Sequence, residues 1–120
     1  MHRLRRKNDI LRALRTGRRA YASWVTLYAL RRQPGDRPAE GARLGVILAR
    51  RFPSAVARNR AKRIVRAAAS ALLRGCREPW DVLLLARPQA LGVPFAERLA
   101  TIRDLLRQAG VWEREVAGAL

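Results

Sequence analysis

Apolar and polar residues follow one another along this chain in patterns that predict six regular elements. The first is a short helix, in which Ile10, Leu11 and Leu14 share one apolar face. Asn8 is a residue type that caps helices, and Gly17 is the residue type that most often ends them. The pattern therefore predicts a helix that begins at Asn8 and ends at Gly17.

Two strands are predicted next. Residues 21–30 alternate as a strand does, with Trp24, Thr26, Tyr28 and Leu30 on one face and Val25, Leu27 and Ala29 on the other. Residues 44–49 are apolar throughout and form the second strand. Residues 33–42 contain two Pro and two Gly, which is typical of a loop. This arrangement favours an antiparallel hairpin.

The second half of the chain predicts a long helix, a strand and a final helix. Ser54 caps a helix that runs to about Leu73 and stops at Gly75. Residues 81–86 read as a buried strand, and residues 95–109 as a helix whose apolar face is formed by Phe95, Leu99, Ile102 and Leu106. The order helix, strand, strand, helix, strand, helix predicts an α+β sandwich, with three helices packed on one small mixed sheet.

The charge is strongly positive and unevenly placed. The 120 residues include 26 Lys and Arg against nine Asp and Glu, a net charge of +17, and nearly all of the basic residues are Arg. Residues 1–77 have 21 basic and three acidic residues, a balance of +18, whereas residues 78–120 have five and six, a balance of −1. Self-repulsion of this size favours a polyanionic partner, which the first region would contact.

Several classes of protein are excluded by residues that the chain lacks. Cys76 is the only cysteine and His2 the only histidine, so the sequence offers neither a disulfide nor a Cys-based metal site. No apolar run approaches the ~18 residues of a membrane span, and no signal-peptide core follows the basic start. We expect one cytoplasmic domain over residues 1–120, with flexible ends at 1–7 and 111–120.

The predicted helix after Ser54 separates cations from apolar residues around its axis. At 100° per residue, one arc holds Arg58, Asn59, Arg60, Lys62, Arg63 and Arg66. The opposite arc holds Ala57, Ala61, Ile64, Val65, Ala68 and Leu72. No acidic residue lies between Glu40 and Glu78, so these cations lack the i±4 partners that a merely solvated helix has. The first arc is therefore predicted to bind a polyanion.

Asn59 stands between two arginines and has two interpretations. Its amide could read a base edge or a ribose hydroxyl of RNA. It could equally form a local backbone hydrogen bond near the start of the helix.

The triplet Arg58-Asn59-Arg60, followed by Lys62-Arg63 and Arg66, resembles the signature of the bacterial ribonuclease P protein family. The surrounding segments are similar too, in the order in which the family has them. They are Arg3-Leu4, the helix ending at Gly17, Leu44-Gly45-Val46, Ala55-Val56, Asp81 to Pro88 and Phe95-Ala96-Glu97. The resemblance covers residues 3 to about 110.

This resemblance implies a fold and a function. The signature helix would join two neighbouring parallel strands by a left-handed crossover, against the usual hand. The protein would assist a catalytic RNA that removes the 5′ leader of precursor tRNA, with Mg²⁺ bound mainly by that RNA and none by the protein alone. The partners would be this RNA and precursor tRNA, with no membrane and no obligate protein partner.

The same resemblance assigns residues to two sites, with no catalytic and no metal-binding residue in the protein. The RNA-binding residues would be Arg50, Arg51, Arg58, Asn59, Arg60, Lys62, Arg63 and Arg66. The 5′-leader cleft would be lined by Ile10, Leu14 and Tyr28.

Three departures from the family distinguish this chain. Ile10 and Leu14 stand where the family often has two Phe, so that Tyr28 alone keeps an aromatic cleft position. Pro53-Ser54-Ala55 replaces a Gly-Asn-Ala turn. Ala49-Arg50-Arg51 replaces Ser-Lys-Lys, which keeps the charge and loses a hydroxyl.

Three alternatives remain at this point. A ribosomal protein or an RNA chaperone would be equally basic. A self-sufficient nuclease would need paired carboxylates or a His base, and the nine acids are scattered. A helix-turn-helix protein would need a short turn before the basic helix, where this chain has two strands.

Overall fold

A computed structural model describes residues 1–111 of the chain. Within them, the elements in chain order are β1 (His2–Arg3), α1 (Lys7–Thr16), β2 (Arg18–Tyr21), β3 (Val25–Arg31), β4 (Arg43–Leu48), α2 (Ala55–Leu73), β5 (Trp80–Ala86), a 3-10 helix (Pro88–Gly92) and α3 (Phe95–Gln108). Except for Val111, the C-terminal segment predicted to be flexible lies outside the described residues.

The five strands form one mixed sheet in the order β1-β4-β5-β3-β2. β5 lies at its centre, parallel to β4 and antiparallel to β3. It is apolar on both faces, as expected of a strand that is covered on both sides. Since β4 and β5 are adjacent and parallel, α2 is the crossover between them.

Helices cover both faces of the sheet. α1 packs over β3 and β5, where Leu4, Ala13 and Leu83 are buried together. α2 packs on β4 and against α3 on the other face, and this main core includes Leu27, Leu44, Val65, Leu84, Ile102 and Leu106. The predicted α+β sandwich of three helices on one mixed sheet is confirmed.

The predicted hairpin of β3 and β4 is wrong, because β5 lies between these strands. β3 pairs with β5 from Val25↔Ala86 to Arg31↔Trp80, and β4 pairs with β5 from Arg43↔Asp81 to Leu48↔Ala86. The chain beyond α2 therefore supplies the central strand. A strand that is apolar on both faces gains more from this central position than from the edge of the sheet.

The predicted strand over residues 21–30 is in fact two strands. β2 and β3 form an antiparallel hairpin whose turn is closed by the Ala22 amide, which donates to the Val25 carbonyl at 2.9 Å. β2 is an edge strand, and three of its four residues are exposed. Because it begins with Arg18 and Arg19, its sequence shows no alternation of apolar and polar residues. Trp24 lies in the turn and packs in the main core, not on the face of Tyr28.

Two further differences concern the N-terminal end. Asn8 does not cap α1, because the helix begins at Lys7 with Arg6 in the capping position and no side-chain cap. Before it, β1 pairs in parallel with β4, and the Leu4 amide donates to the Leu44 carbonyl at 2.9 Å. Because β1 and Leu4 are held against β4, the backbone leaves the sheet after Leu4 and α1 begins at Lys7, before Asn8.

Candidate nucleic-acid interface

The helix α2 begins and ends where the sequence predicts. The Ser54 hydroxyl oxygen accepts a hydrogen bond from the Ala57 amide at 3.1 Å, as a serine N-cap does. Beyond the last turn, Gly75 has a φ of 85°, a backbone conformation that glycine adopts without strain. The nineteen residues of α2 span about 28 Å.

The two sides of α2 differ sharply in burial. Its buried residues are Ala61, Val65, Ala68, Ala69 and Leu73. Its exposed polar residues are Arg58, Asn59, Arg60, Lys62 and Arg63. Ile64 and Leu72 are half-buried at the edge of the packed side, and both contact the main core. The predicted separation into a packed arc and a cationic arc is confirmed.

The cations of α2 have no acidic partners within residues 1–111. Every ion pair in that part of the chain is made by Arg12, Arg31, Arg32 or Arg43. Like charges on one helix face repel each other, so an uncompensated row is stabilised by an external anion. We call Arg50, Arg51, Arg58, Asn59, Arg60, Lys62, Arg63 and Arg66 the cationic surface.

Arg66 connects this surface to the N-terminal strand. It is half-buried, unlike the other cations of α2. Burial and the neighbouring charges of Arg3 and Arg5 lower the pKa of Arg66. A partly desolvated cation beside two like charges is a favourable place for a phosphate, and the positive potential extends from α2 to β1.

The loop before α2 brings two more arginines to the N-terminal end of the helix. Arg50 and Arg51 are exposed, and Arg51 has a φ of 75°, which costs roughly 1–2 kcal/mol for a residue with a side chain. The Arg58 guanidinium lies 5.8 Å from the centroid of the Phe52 ring, within cation–π range. Phe52 therefore orients Arg58, a role that sequence analysis missed because no helical or strand period includes this loop.

The three predicted cleft residues come together on the opposite face of the sheet. Ile10, Leu14 and Tyr28 are half-buried and pack with Ile47 around the small cluster beneath α1. We call this side of the sheet the cleft face. The structure thus places a partly open apolar surface where the sequence predicts the leader site, and its binding role stays a prediction.

Tyr21 and Arg19 lie on the same cleft face, and sequence analysis missed both. In the β2–β3 register, Arg19 is opposite Tyr28 and Tyr21 is opposite Thr26, and opposed residues in an antiparallel pair project from the same face. A single strand over residues 21–30 would have placed Tyr21 with Val25 on the core side. The turn at residues 22–24 reverses this, so only knowledge of the turn could have identified Tyr21.

Other arginines form ion pairs inside the fold. The carboxylate of Asp81 is fully buried and accepts hydrogen bonds from Arg32 at 2.8 Å and from Arg43 at 2.7 and 2.8 Å. Hydrogen bonding to Asp81 raises the pKa of Arg43, which also contacts Asp9 of α1. We call Arg32, Arg43, Asp81 and Asp9 the buried arginine network.

The buried arginine network also fixes the long loop between β3 and β4. The Arg32 guanidinium donates to the carbonyls of Pro38, Glu40 and Gly41, so the loop closes over it. The sequence places Asp81 at the start of a strand, where its role is to cap or to pair. The structure shows that it pairs.

Neither a metal site nor a membrane span is evident in the described part of the chain. Within residues 1–111, no group of three His, Cys, Asp or Glu side chains could hold a metal ion. No helix in the same range is long and apolar enough to cross a membrane.

Comparison with known proteins agrees with this arrangement. The model of the family described as Ribonuclease P matches residues 1–110. A ribonuclease P protein component from Chloroflexus aggregans is 41% identical over 109 residues, covering 90% of this chain and 77% of the relative. Another from Ruegeria pomeroyi is 39% identical over 107 residues, covering 88% of this chain and 83% of the relative.

Solved structures of such proteins share the fold. The RNase P protein of Staphylococcus aureus superimposes with a TM-score of 0.75 at 19% identity, covering 94% of this chain and 99% of that one. The RNase P protein of Thermotoga maritima, in complex with 1-(4-fluorophenyl)-2-thiourea, gives a TM-score of 0.70 at 23% identity, covering 88% and 98%.

Proposed function

The chain belongs to the ribonuclease P protein family, and from this premise we propose a division of roles between its two surfaces. It is a ribonuclease P protein component that acts in tRNA processing, with the ribonuclease P RNA as its partner. The cationic surface binds that RNA, and the cleft face binds the 5′ leader of precursor tRNA. The same comparisons do not favour a ribosomal protein or an RNA chaperone.

The observation that carries the proposal is the uncompensated row of cations on α2. Arg58, Arg60 and Arg63 are exposed on one helix that contains no acidic residue, and none of them forms an ion pair within residues 1–111. Arg presents a planar fork that grips phosphate oxygens with two hydrogen bonds. An RNA backbone satisfies these donors, and it relieves the repulsion among them.

The cleft face supplies the contact to the substrate. Tyr28 offers a ring on which an unpaired base can stack, and Ile10 and Leu14 line the apolar surface beside it. Mature tRNA has no leader. Contacts on the cleft face therefore favour precursor over mature tRNA, which helps product to leave.

The phosphodiester chemistry belongs to the RNA subunit in this proposal, and so does the Mg²⁺. Magnesium in proteins is held by carboxylate oxygens. Asp9 and Asp81 are engaged by Arg43, and the described residues contain no group of three suitable side chains. This chain acts through its cations, which screen the phosphates that Mg²⁺ otherwise screens. It needs no obligate protein partner and works in the cytoplasm.

The test is cleavage of precursor tRNA by the cognate RNA at low Mg²⁺, with and without this chain. The RNA alone should be nearly inactive, and adding the protein should restore cleavage, because protein cations replace part of the ionic screening. The protein alone should not cleave. Hydrolysis by the purified protein without RNA, or no lowering of the Mg²⁺ requirement, would contradict the proposal.

A further inference from the structure

Tyr21 is the most exposed aromatic residue in the described part of the chain. Its side chain lies at the edge of the sheet and is 62% exposed. The Arg19 guanidinium lies 6.0 Å from the centroid of its ring, at the limit of cation–π range. Burying a tyrosine ring is favourable, so a ring left in water beside a cation is a candidate binding surface.

The register of the hairpin aligns this pair with the leader site. Arg19 is directly opposite Tyr28, which places Tyr21 and Tyr28 diagonally across the two strands. Diagonal neighbours on one face are about 7–8 Å apart, within reach of aromatic side chains. Tyr28, Arg19 and Tyr21 therefore form a continuous row on the cleft face that leads outward from α1.

The outer end of this row is open and cationic. β2 is the edge strand, and α1 packs over β3 and β5 rather than over β2. Arg87 reaches the same face, where its guanidinium donates to the Thr26 hydroxyl at 2.6 Å. A ligand that lies on Tyr21 thus meets an exposed ring face flanked by Arg19 and Arg87.

We propose that Tyr21 and Arg19 form a second nucleobase-stacking site, which extends the leader site from Tyr28 to the edge of the sheet. The ligand is single-stranded RNA, because its bases stack on aromatic rings while its phosphates pair with arginine. Ile10 and Leu14 are aliphatic, so Tyr28 is the only ring among the three predicted cleft residues. A second ring lets the site hold more than one base of the 5′ leader. The inference rests on the proposed function of the cleft face.

A similar pair elsewhere in the molecule provides a matched control. Phe95 is 49% exposed, and the Arg98 guanidinium lies 5.7 Å from its ring centroid. This pair belongs to α3, which packs on the other face of the sheet, within the region whose charge balance is −1. An exposed ring beside an arginine is therefore present in both places, and only one of them lies on the cleft face.

The experiment measures binding of precursor tRNA and of mature tRNA to the complex of this protein with ribonuclease P RNA. Tyr21→Ala should weaken binding of the precursor by between about 5-fold and about 150-fold, the range for one stacked base, and leave binding of mature tRNA unchanged. Tyr21→Phe keeps the ring and should bind as the unsubstituted protein does. Phe95→Ala should change neither. Tyr21 is exposed, so circular dichroism should show all variants folded.

Each other result overturns the inference. If Tyr21→Ala binds the precursor as the unsubstituted protein does, no base stacks on this ring. If Tyr21→Phe loses as much as Tyr21→Ala, the phenol hydroxyl and not the ring face makes the contact. If Phe95→Ala loses as much, the effect is not specific to the cleft face. The proposed function is tested separately, since it fails, and the inference with it, when the unsubstituted complex shows no preference for precursor over mature tRNA.

Discussion

The buried arginine network and the cationic surface use the same side chain in opposite surroundings. In the network, Arg32 is almost fully buried and donates to Asp81 and to four backbone carbonyls. On the cationic surface, Arg60 and Arg63 are exposed and have no partner within residues 1–111. The first region connects the residue after β3 with β4, β5 and α1 through ion pairs, whereas the second forms no ion pair within the described residues. The proposed function accounts for this difference by assigning the exposed arginines to RNA binding.

The largest effect on stability should come from breaking the network at its centre. Asp81→Ala leaves Arg32 buried without its counter-charge, and removing one partner of a buried pair costs ~3–5 kcal/mol of unfolding free energy. Urea unfolding measures this loss. Asp104→Ala removes an exposed acid of α3 and should change stability by no more than ~0.5 kcal/mol. Equal effects of the two substitutions would show that the network is not structural.

Removing cations from the other region should have the opposite signature. Arg60→Ala and Arg63→Ala together should leave the unfolding free energy within ~0.5 kcal/mol and weaken RNA binding by ~3–6 kcal/mol, because each charge-assisted hydrogen bond is worth ~1.5–3 kcal/mol. Filter binding to ribonuclease P RNA measures the loss.

A control for this pair lies on α3. Arg103→Ala and Arg107→Ala remove the same charge from exposed positions outside the cationic surface. The α3 variant should bind RNA nearly as the unsubstituted protein does. A similar loss in both variants would mean that net charge, and not the face of α2, determines affinity.

A substitution on the cleft face should weaken binding of the substrate and not binding of the catalytic RNA. Tyr28→Ala should weaken binding of precursor tRNA by ~1–3 kcal/mol, since one base loses its stacking partner. Mature tRNA should bind as it does to the unsubstituted protein. Tyr28→Phe, which keeps the ring, should bind precursor tRNA as the unsubstituted protein does. Equal losses for both tRNAs would assign Tyr28 to packing beneath α1 alone.

The smallest effect should come from the cap of α2. Ser54→Ala removes the acceptor for the Ala57 amide and should cost ~1 kcal/mol of stability. The folded variant should bind RNA almost unchanged, and Ser54→Asn should retain the cap. A large loss of affinity in folded Ser54→Ala, measured by the same filter assay, would indicate that Ser54 itself contacts RNA.

The elements that the sequence predicted well follow local rules. Ser54, Gly75 and the spacing of apolar residues place α2 from within its own sequence, and the run from Asp81 to Ala86 specifies a buried strand. The row of cations without nearby acids was visible for the same reason. The resemblance to a family then added the crossover, which no local pattern contains.

The elements that it missed depend on distant contacts. β5 lies between β3 and β4 although 31 residues separate its first residue from the last residue of β4, and no hairpin signal records this. Arg32 has its partners in the loop that follows it and, 49 residues further along the chain, at Asp81 in β5, so its burial could not be read from its neighbours in sequence. Tyr21 changed face because of a three-residue turn. The strand order and the ion pair of Arg32 are tertiary contacts that override a local pattern, whereas Tyr21 was missed because of a local turn.

The most direct test of the central claim is the salt dependence of affinity for ribonuclease P RNA. If about six cations of the cationic surface contact phosphates, the slope of log affinity against log salt should be roughly −4 to −5. The variant with Arg60→Ala and Arg63→Ala should have a slope less steep by about 1.5, because two contacts are gone. A slope near −1 for the unsubstituted protein, or identical slopes for the two, would contradict the assignment of this surface to RNA.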